Sequence, residues 1–538
     1  MRISYKSIQD REAWERIGVK LPSFDWKDMY AETAAYPTWV HFGAGSLFRG
    51  FHAMLQQNLI EQGLVKGGLY TAETFDCEMV EDSYAPYDNL SILVTLMPDG
   101  TMEKTVVGTV AGGLRADPAF PEDYKRLCDI FRSPSLQMVT FTITEKGYAL
   151  TGMDGNFTSA AEADFKAGPH RGKLAMSKVA SLLLERFLAG GVSIAMVSTD
   201  NCSHNGEKLR TSITAMARKW NKNGFVSQAF VDWLEDEDQV SFPWTMIDKI
   251  TPRPAPAVEE ELTRLGIENV GVMVTAKGGY TAAFVNAEKP QYLVIEDRFP
   301  NGRPPLEKAG VYFADRDTVN RVEKMKVTTC LNPLHTALAV YGCVLGYTRI
   351  ADEMEDPELK ALVEKIGYTE GMPVVTDPGI IKPTDFIHEV IDQRLPNPFM
   401  PDTPQRIACD TSQKIPIRFG ETIKSYVSHE ELRAEDLTFI PLAIAGWLRY
   451  LLAIDDEGKP FECSSDPMLQ KLQKQMSSIE LGRSETVTLE VLYPILSNPV
   501  IFASDLVEVG LAEKITEMLR ELVAGPGAVR AALRRYLS

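Results

Sequence analysis

The stretch "KMKVTTCLNPLHTALAVYGCVLGY", residues 324–347, sets two lysines, an asparagine and a histidine ahead of a long apolar run. Asn332 and His335 lie three residues apart and share a face if the run is helical. A lysine whose ammonium is desolvated beside other positive groups can exchange protons near neutral pH, which makes it a candidate general acid and base. The competing reading is a packed core histidine at the polar start of a core helix, and this stretch alone does not separate the two.

Two other stretches carry residues suited to ligand chemistry. "WVHFGAGSLFRGFHA" passes from a strand-like run through Gly43-x-Gly45 into a helical pattern. Glycines there permit a tight turn and close approach of backbone N–H groups to a pyrophosphate. Position 48 is Phe, so the third glycine of the usual fingerprint is absent and a plain structural turn stays open. "TAETFD" places Glu73 and Asp76 at the end of the following strand, where an acidic side chain accepts a ribose hydroxyl. "VSTDNCSHNGEKLR" closes a later strand with Asp200 and Asn201. Asn201 stands where its amide could donate to a substrate oxygen, although on these residues alone a turn and helix cap is the preferred reading. Asp248, in "FPWTMIDKITPRP", lies between apolar residues ahead of two prolines and could be a salt-bridged loop residue.

The elements that position these residues follow from their patterns. "TWVHF", "GLYTAETF", "SILVTL", "QMVTFTIT" and "VSIAMVST" alternate with helical segments over the first 300 residues, which predicts a mostly parallel α/β sheet. "LSILVTLMPDGTMEKTVVGTV" predicts a hairpin about Pro98-Asp99-Gly100, in or beside that sheet. After about residue 320 the segments are helical in period, including "DPELKALVEKIGY", "LTFIPLAIAGWLRYLLAI" and "AEKITEMLRELVAG". The Pro- and Gly-rich connection before it predicts an α/β domain over 1–320 and an all-α domain over 321–538.

Composition bounds the function. With 538 residues, two domains are the default. A net charge of -18 argues against binding a phosphate backbone, so no nucleic-acid partner is expected. Seven cysteines without a C-x-x-C pair suggest reduced thiols in a cytoplasm. No apolar leader is present at the start, and no uncharged stretch reaches the ~20 residues that span a bilayer, so no membrane partner is expected either.

Taken in order, "HFGAGSLFRGFHA", "TEKGY", "VSTDNCSHNG", "FPWTMIDKITP", "VIEDRFPNGRPPLEKAGV", "KMKVTTCLNPLHTAL" and "RIACDTSQKIPIRF" resemble the polyol-specific long-chain dehydrogenase/reductase family. That family includes mannitol dehydrogenases and the uronate reductases making mannonate or altronate. The resemblance implies a Rossmann-type N-terminal domain, a helical C-terminal domain, a site in the cleft between them, NAD(H) or NADP(H), and no catalytic metal. It places the catalytic lysine on Lys326, the amides that hold the reacting oxygen on Asn201 and Asn332, and a hydroxyl-orienting histidine on His335. Glu323 would link the lysine to solvent, Arg406 and Lys414 would contact substrate, and Asp248 would line the site. The dinucleotide would meet Phe42, Gly43, Ala44, Gly45, Phe48 and Arg49, then Glu73 and Asp76, then Thr144 and Glu145; the acidic pair points to NAD rather than NADP.

Three departures from the family pattern are present. Lys326 precedes Asn332 by six residues where five are usual, so an unbroken helix at ~100° per residue would turn Lys326 away from His335. A π-bulge or non-helical entry is required if Lys326, and not Lys324, is the acid–base group. Phe48 replaces a common histidine and Trp244 a common asparagine. "AETFD", "RPPLEKAGV" and the overall length look closest to the uronate branch, which leads to the expectation of a sugar-acid substrate and reduction of D-fructuronate to D-mannonate. Tagaturonate reduction, mannitol oxidation, and a catalytically silent homologue that kept the fold are the alternatives; the oligomeric state stays open.

Overall fold

The computed structural model describes residues 1–152 and 154–538. The chain divides into two compact units, Met1–Met97 with Thr101–Val319, and Asn320–Ser538 with Pro98–Gly100.

The first unit is built on six strands: β1 (Trp39–Phe42), β2 (Leu69–Glu73), β3 (Val110–Arg115), β4 (Met138–Phe141), β5 (Ile194–Ser198) and β6 (Val240–Ser241). They lie in the order β3-β2-β1-β4-β5-β6, and every neighbouring pair is parallel. This is the doubly wound Rossmann-type order, which reverses between β1 and β4 and leaves a crevice at the carboxyl ends of the strands. Both faces are covered. Val40 and Phe42 join one apolar cluster with Val139, Phe141 and Met196, while Trp39 joins the other with Leu69, Met138 and Val197. Burial on both sides is why these strands read as continuous apolar runs instead of alternating ones. The hairpin about Pro98–Gly100 pairs Ser91–Leu96 with Met102–Val107. It stands in a separate four-stranded sheet with Val19–Lys20 and Phe284–Glu288.

Helices α1 (Ala53–Glu61), α2 (Ala175–Leu188) and α3 (Asn205–Lys222) belong to the first unit. Helix α4 (Arg316–Met325) leads into the second, whose main helix is α5 (Asn332–Leu345). Among the described residues of the second unit, strand pairing is limited to the isolated bridge between Ile454 and Pro460. Helix α5 packs on helix Phe439–Leu451, where the Tyr341 hydroxyl donates to the Leu442 carbonyl at 2.7 Å. Arg449, the one charge in that apolar helix, is fully buried because its guanidinium donates to the Leu522 and Asp455 carbonyls at 3.0 and 2.9 Å. Among the described residues no helix is long and apolar enough to cross a membrane.

Candidate active site

At the carboxyl ends of β1, β2 and β4 the first unit holds a cavity of about 620 Å³, lined by Gly43, Gly45, Glu73, Asp76 and Thr144 among others. Gly43 has φ 117°, and a Cβ there would lie 2.4 Å from the Thr142 carbonyl oxygen, so only glycine fits. A Cβ at Gly45 would meet nothing within 4 Å, which leaves bare backbone facing open space. The Glu73 carboxylate accepts the Ala44 N–H at 3.1 Å and the Phe75 and Asp76 N–H groups at 2.9 and 3.3 Å. An acidic side chain is thereby set one strand across from a glycine turn, an arrangement suited to a dinucleotide.

The loop after β2 is clasped from far along the chain. In the short hairpin Met273–Val274 with Tyr280–Thr281, the Thr275 hydroxyl donates to Asp76 at 2.6 Å and the Ala276 N–H to Glu78 at 2.7 Å. Lys277 donates to the Phe75 carbonyl and sits over the Phe75 ring. Phe75 is itself 69% exposed and lines the cavity, as does Lys173; neither stood out in the sequence.

Several residues expected at the cofactor are placed otherwise. Phe42 is core, stacked on Phe141 with ring centroids 5.2 Å apart. Phe48 is buried against His41 at 4.6 Å. Arg49 is also buried: its guanidinium donates to the Ala282 carbonyl at 2.7 Å and the Thr281 hydroxyl at 3.2 Å, making it a strut to a neighbouring strand and not an anion ligand. The π-turn Phe48–His52 that precedes α1 turns these side chains inward. Glu145 pairs with Lys208 and lines a different groove. Ala44 contributes backbone only, its carbonyl accepting the Tyr84 hydroxyl at 2.8 Å.

Asn201 is exposed on the loop that leaves β5. Asn205, at the start of α3, ties that loop down: its amide donates to the Asp200 carbonyl at 3.0 Å and to the Thr245 hydroxyl at 2.8 Å. Asp248 ends a buried strand, Thr245–Asp248, paired antiparallel with Tyr292–Glu296.

In the second unit the lysine–asparagine–histidine stretch is not one continuous helix. Helix α4 ends at Met325, a π-helical turn occupies Lys326–Cys330, and α5 begins at Asn332. Leu331, at φ -133° and ψ -61°, is the break between them. Lys326 is 4% exposed, whereas Lys324 is exposed. Glu323, part-buried, precedes Lys326 by three residues and shares its face.

His335 lies one turn into α5 with its Nε2 3.5 Å from Asp402 Oδ2, and this buried nitrogen has no hydrogen-bond partner in the structure. Burial pushes the imidazole down to about 4; Asp402 opposes this and Arg418, Arg406 and Arg394 assist, so His335 is neutral at pH 7. Asp402 also pairs with Arg406. Arg418 donates to the Thr336 hydroxyl at 2.6 Å, and that hydroxyl donates to the Asn332 carbonyl at 3.0 Å, which fixes the first turn of α5. Burial lowers the Arg418 guanidinium to about 10. The Lys414 ammonium is occupied by the Ile407 carbonyl at 3.1 Å and the Cys409 carbonyl, and burial lowers its pKa. Arg406 is 60% exposed. Asp402 and Arg418 were not singled out in the sequence; the four-residue interval from Asp402 to Arg406 signals that pair, and nothing local signals Arg418.

The chain is similar to known proteins along its whole length. Over its full length the chain is 52% identical to a D-mannonate oxidoreductase of Thermotoga maritima, covering 99% of that protein. A crystal structure of D-sorbitol dehydrogenase in substrate-free form matches with a TM-score of 0.78 at 25% identity, covering 96% of this chain and 97% of that one. A Pseudomonas fluorescens mannitol 2-dehydrogenase, solved as a ternary complex with NAD and D-mannitol, matches with a TM-score of 0.68 at 25% identity over 99% of each chain. Residues 37–308 match the mannitol dehydrogenase Rossmann domain and residues 318–523 the mannitol dehydrogenase C-terminal domain, and the chain belongs to the mannitol dehydrogenase family.

Proposed function

We propose that the protein interconverts D-fructuronate and D-mannonate with NAD(H), reducing the keto group of a sugar acid. The observation that carries the substrate is the 52% identity, end to end, to a relative named a D-mannonate oxidoreductase. The bare Gly43–Gly45 turn, the cavity of about 620 Å³ and the Glu73 carboxylate fit a dinucleotide, with Glu73 suited to a ribose hydroxyl. When bound, the nicotinamide supplies the hydride in reduction and accepts it in oxidation.

The remaining work falls to side chains of this chain. In reduction, Lys326 Nζ gives its proton to the oxygen that was the carbonyl, and in oxidation it takes that proton back. Asn332 donates a hydrogen bond to the same oxygen as negative charge develops, a role the family resemblance also gives Asn201. Glu323 passes the lysine's proton to and from solvent. Neutral His335, whose buried Nε2 lacks a hydrogen bond, binds a hydroxyl neighbouring the carbonyl. Arg406 binds the substrate carboxylate, with Lys414 adding positive charge nearby and Asp248 lining the sugar.

The test is a panel of D-fructuronate, D-tagaturonate, D-fructose and D-fructose 6-phosphate with NADH and with NADPH. The highest kcat/KM is expected for D-fructuronate with NADH. A higher value for tagaturonate or fructose would move the substrate within the family, and no turnover of any of the four would favour a silent homologue.

A further inference from the structure

We infer that Asp200 is a positioning residue that holds the β4 loop of the dinucleotide crevice in a strained backbone conformation and sets Asn201 in register with it. This rests on the crevice being a dinucleotide site, and not on which sugar the enzyme uses.

Three observations converge. The first is the use of the Asp200 carboxylate. Its Oδ2 accepts the Ile143 N–H at 2.9 Å and the Tyr148 hydroxyl at 2.5 Å, and its Oδ1 accepts the Thr144 N–H at 2.9 Å. Both oxygens are thus committed to one short segment of a different strand's loop. Tyr148 is held in turn by Ser198, on β5 two residues before Asp200, at 2.9 Å.

The second is the conformation of that segment. Thr144 has φ 65° and ψ 159°, a region that glycine occupies freely and that any residue with a Cβ avoids. Such a backbone persists only where its surroundings over-determine it. The N–H of the strained Thr144 and the N–H of Ile143 before it are the ones Asp200 binds, so the restraint enters the strained residue from its N-terminal side.

The third is location. Thr142, Ile143, Thr144 and Gly147 line the same cavity as Gly43 and Gly45, and Thr142 is the residue against which Gly43 packs. The next residue along the chain from Asp200 is Asn201. A carboxylate that fixes the β4 loop from the β5 exit therefore also fixes the point from which the Asn201 side chain departs.

A brace of the fold in general would be indifferent to the conformation of Thr144, whereas a restraint on the strained loop would not. Asp200→Asn keeps the size but turns an amide donor toward one of the two N–H groups. Fluorescence titration of the full chain with NADH, which reads binding without turnover, is expected to show at least tenfold weaker binding in Asp200→Asn. Glycine at position 144 adopts the same backbone without strain, so the penalty for Asp200→Asn should be at least threefold smaller when it is measured in the Thr144→Gly background. An Asp200→Asn affinity within twofold of the parent, or a penalty of equal size in both backgrounds, would overturn the inference. Should Asp200→Asn not fold, the Asp200→Asn/Thr144→Gly double variant is expected to fold and to gain thermal stability on adding NADH; its failure to do so would count against the inference equally. A parent protein that binds NADH but reduces none of the keto sugars would remove the functional proposal and leave this one standing.

Discussion

The Leu331 N–H donates to the Lys326 carbonyl at 3.1 Å, a hydrogen bond that reaches five residues back instead of four. A π-turn of this kind takes in one extra residue. Followed by the break at Leu331, it interrupts the regular helical phase across the six-residue interval between Lys326 and Asn332. It leaves Lys326 buried ahead of α5 and Lys324, two residues earlier, in solvent.

Lys326→Ala is expected to lower kcat by roughly 10²-fold to 10⁴-fold, the scale of general acid–base catalysis. NADH affinity should stay near that of the parent, and Lys324→Ala should change kcat by less than threefold. Steady-state kinetics decide between the two lysines; the reverse ranking would move the acid–base role to Lys324. Deleting Val327, inside the π-turn, should close the segment as ordinary α-helix and retain more activity than Lys326→Ala.

Arg406→Ala should weaken D-fructuronate more than D-fructose. Because Arg406 is 60% exposed and already pairs with Asp402, solvent screening limits the loss to about 1–2 kcal/mol, less than a fully buried charge pair would show. Equal losses in kcat/KM for the acid and the neutral sugar would mean that Arg406 does not read the carboxylate.

NADH should be preferred over NADPH, because Glu73 would repel a phosphate on the ribose. Glu73→Gln is expected to narrow the preference, with Lys173 on the same cavity as the cation available to a phosphate. The ratio of the two kcat/KM values before and after substitution is the measurement, and an unchanged ratio would place the discrimination elsewhere.

Stability should fall on the acid side below pH 6.5. His41 and His52 are buried beneath the glycine turn, 4.6 Å apart and bonded to Thr140, Thr142 and Thr199. Burial pushes His52 down to about 4 and His41 well below 6.5. An unfolded chain takes up these protons from about pH 6.5 downward while the native state does not, so the stabilisation is complete above 6.5 and is lost between 6.5 and about 4. At His52 alone this amounts to about 3 kcal/mol. Thermal unfolding from pH 7 to pH 4 should show the decline, and His52→Gln should flatten it.

Glu353 acts in the opposite direction. It is fully buried, neither carboxyl oxygen has a hydrogen-bond partner, and burial, then Asp356 and Asp352, holds its pKa well above the usual range. The native state keeps a proton that the unfolded chain releases above about pH 4.5, so this group's contribution declines as pH rises from there. Glu353→Gln should therefore gain melting temperature over the parent by a margin that widens from pH 5 to pH 8; a constant margin would mean that ionisation at this position does not matter.

The parallel strands were legible because burial on both faces makes them apolar runs, as in "TWVHF" and "VSIAMVST". Strand β3 was not: Gly112 and Gly113, needed because side chains there would crowd the rings of Tyr70 and Tyr84, dilute its strand character. The irregular entry to α5 was foreseeable once the family resemblance showed one residue too many between Lys326 and Asn332, since helical phase is arithmetic. That spacing does not separate a π-bulge from a non-helical entry, and both a π-turn and the break at Leu331 are present. Arg49 was misplaced for the converse reason, because its neighbourhood to a glycine turn says nothing of where a π-turn will rotate it. Asp402 and Arg418 act through partners 67 and 82 residues away in the chain, His335 and Thr336, and no local pattern marks such contacts.

The hairpin that clasps the loop after β2 has a bearing on how this protein is made. Thr275 follows its partner Asp76 by 199 residues, so at 5–20 residues per second a ribosome needs roughly 10–40 s between the two. During that interval β1, β2 and the glycine turn can already have emerged and paired, while the acidic loop beside them lacks its outer fastening. Until then the bonds from Thr275, Ala276 and Lys277 to that loop cannot form, and the nascent chain presents the crevice beside β1 and β2 without them.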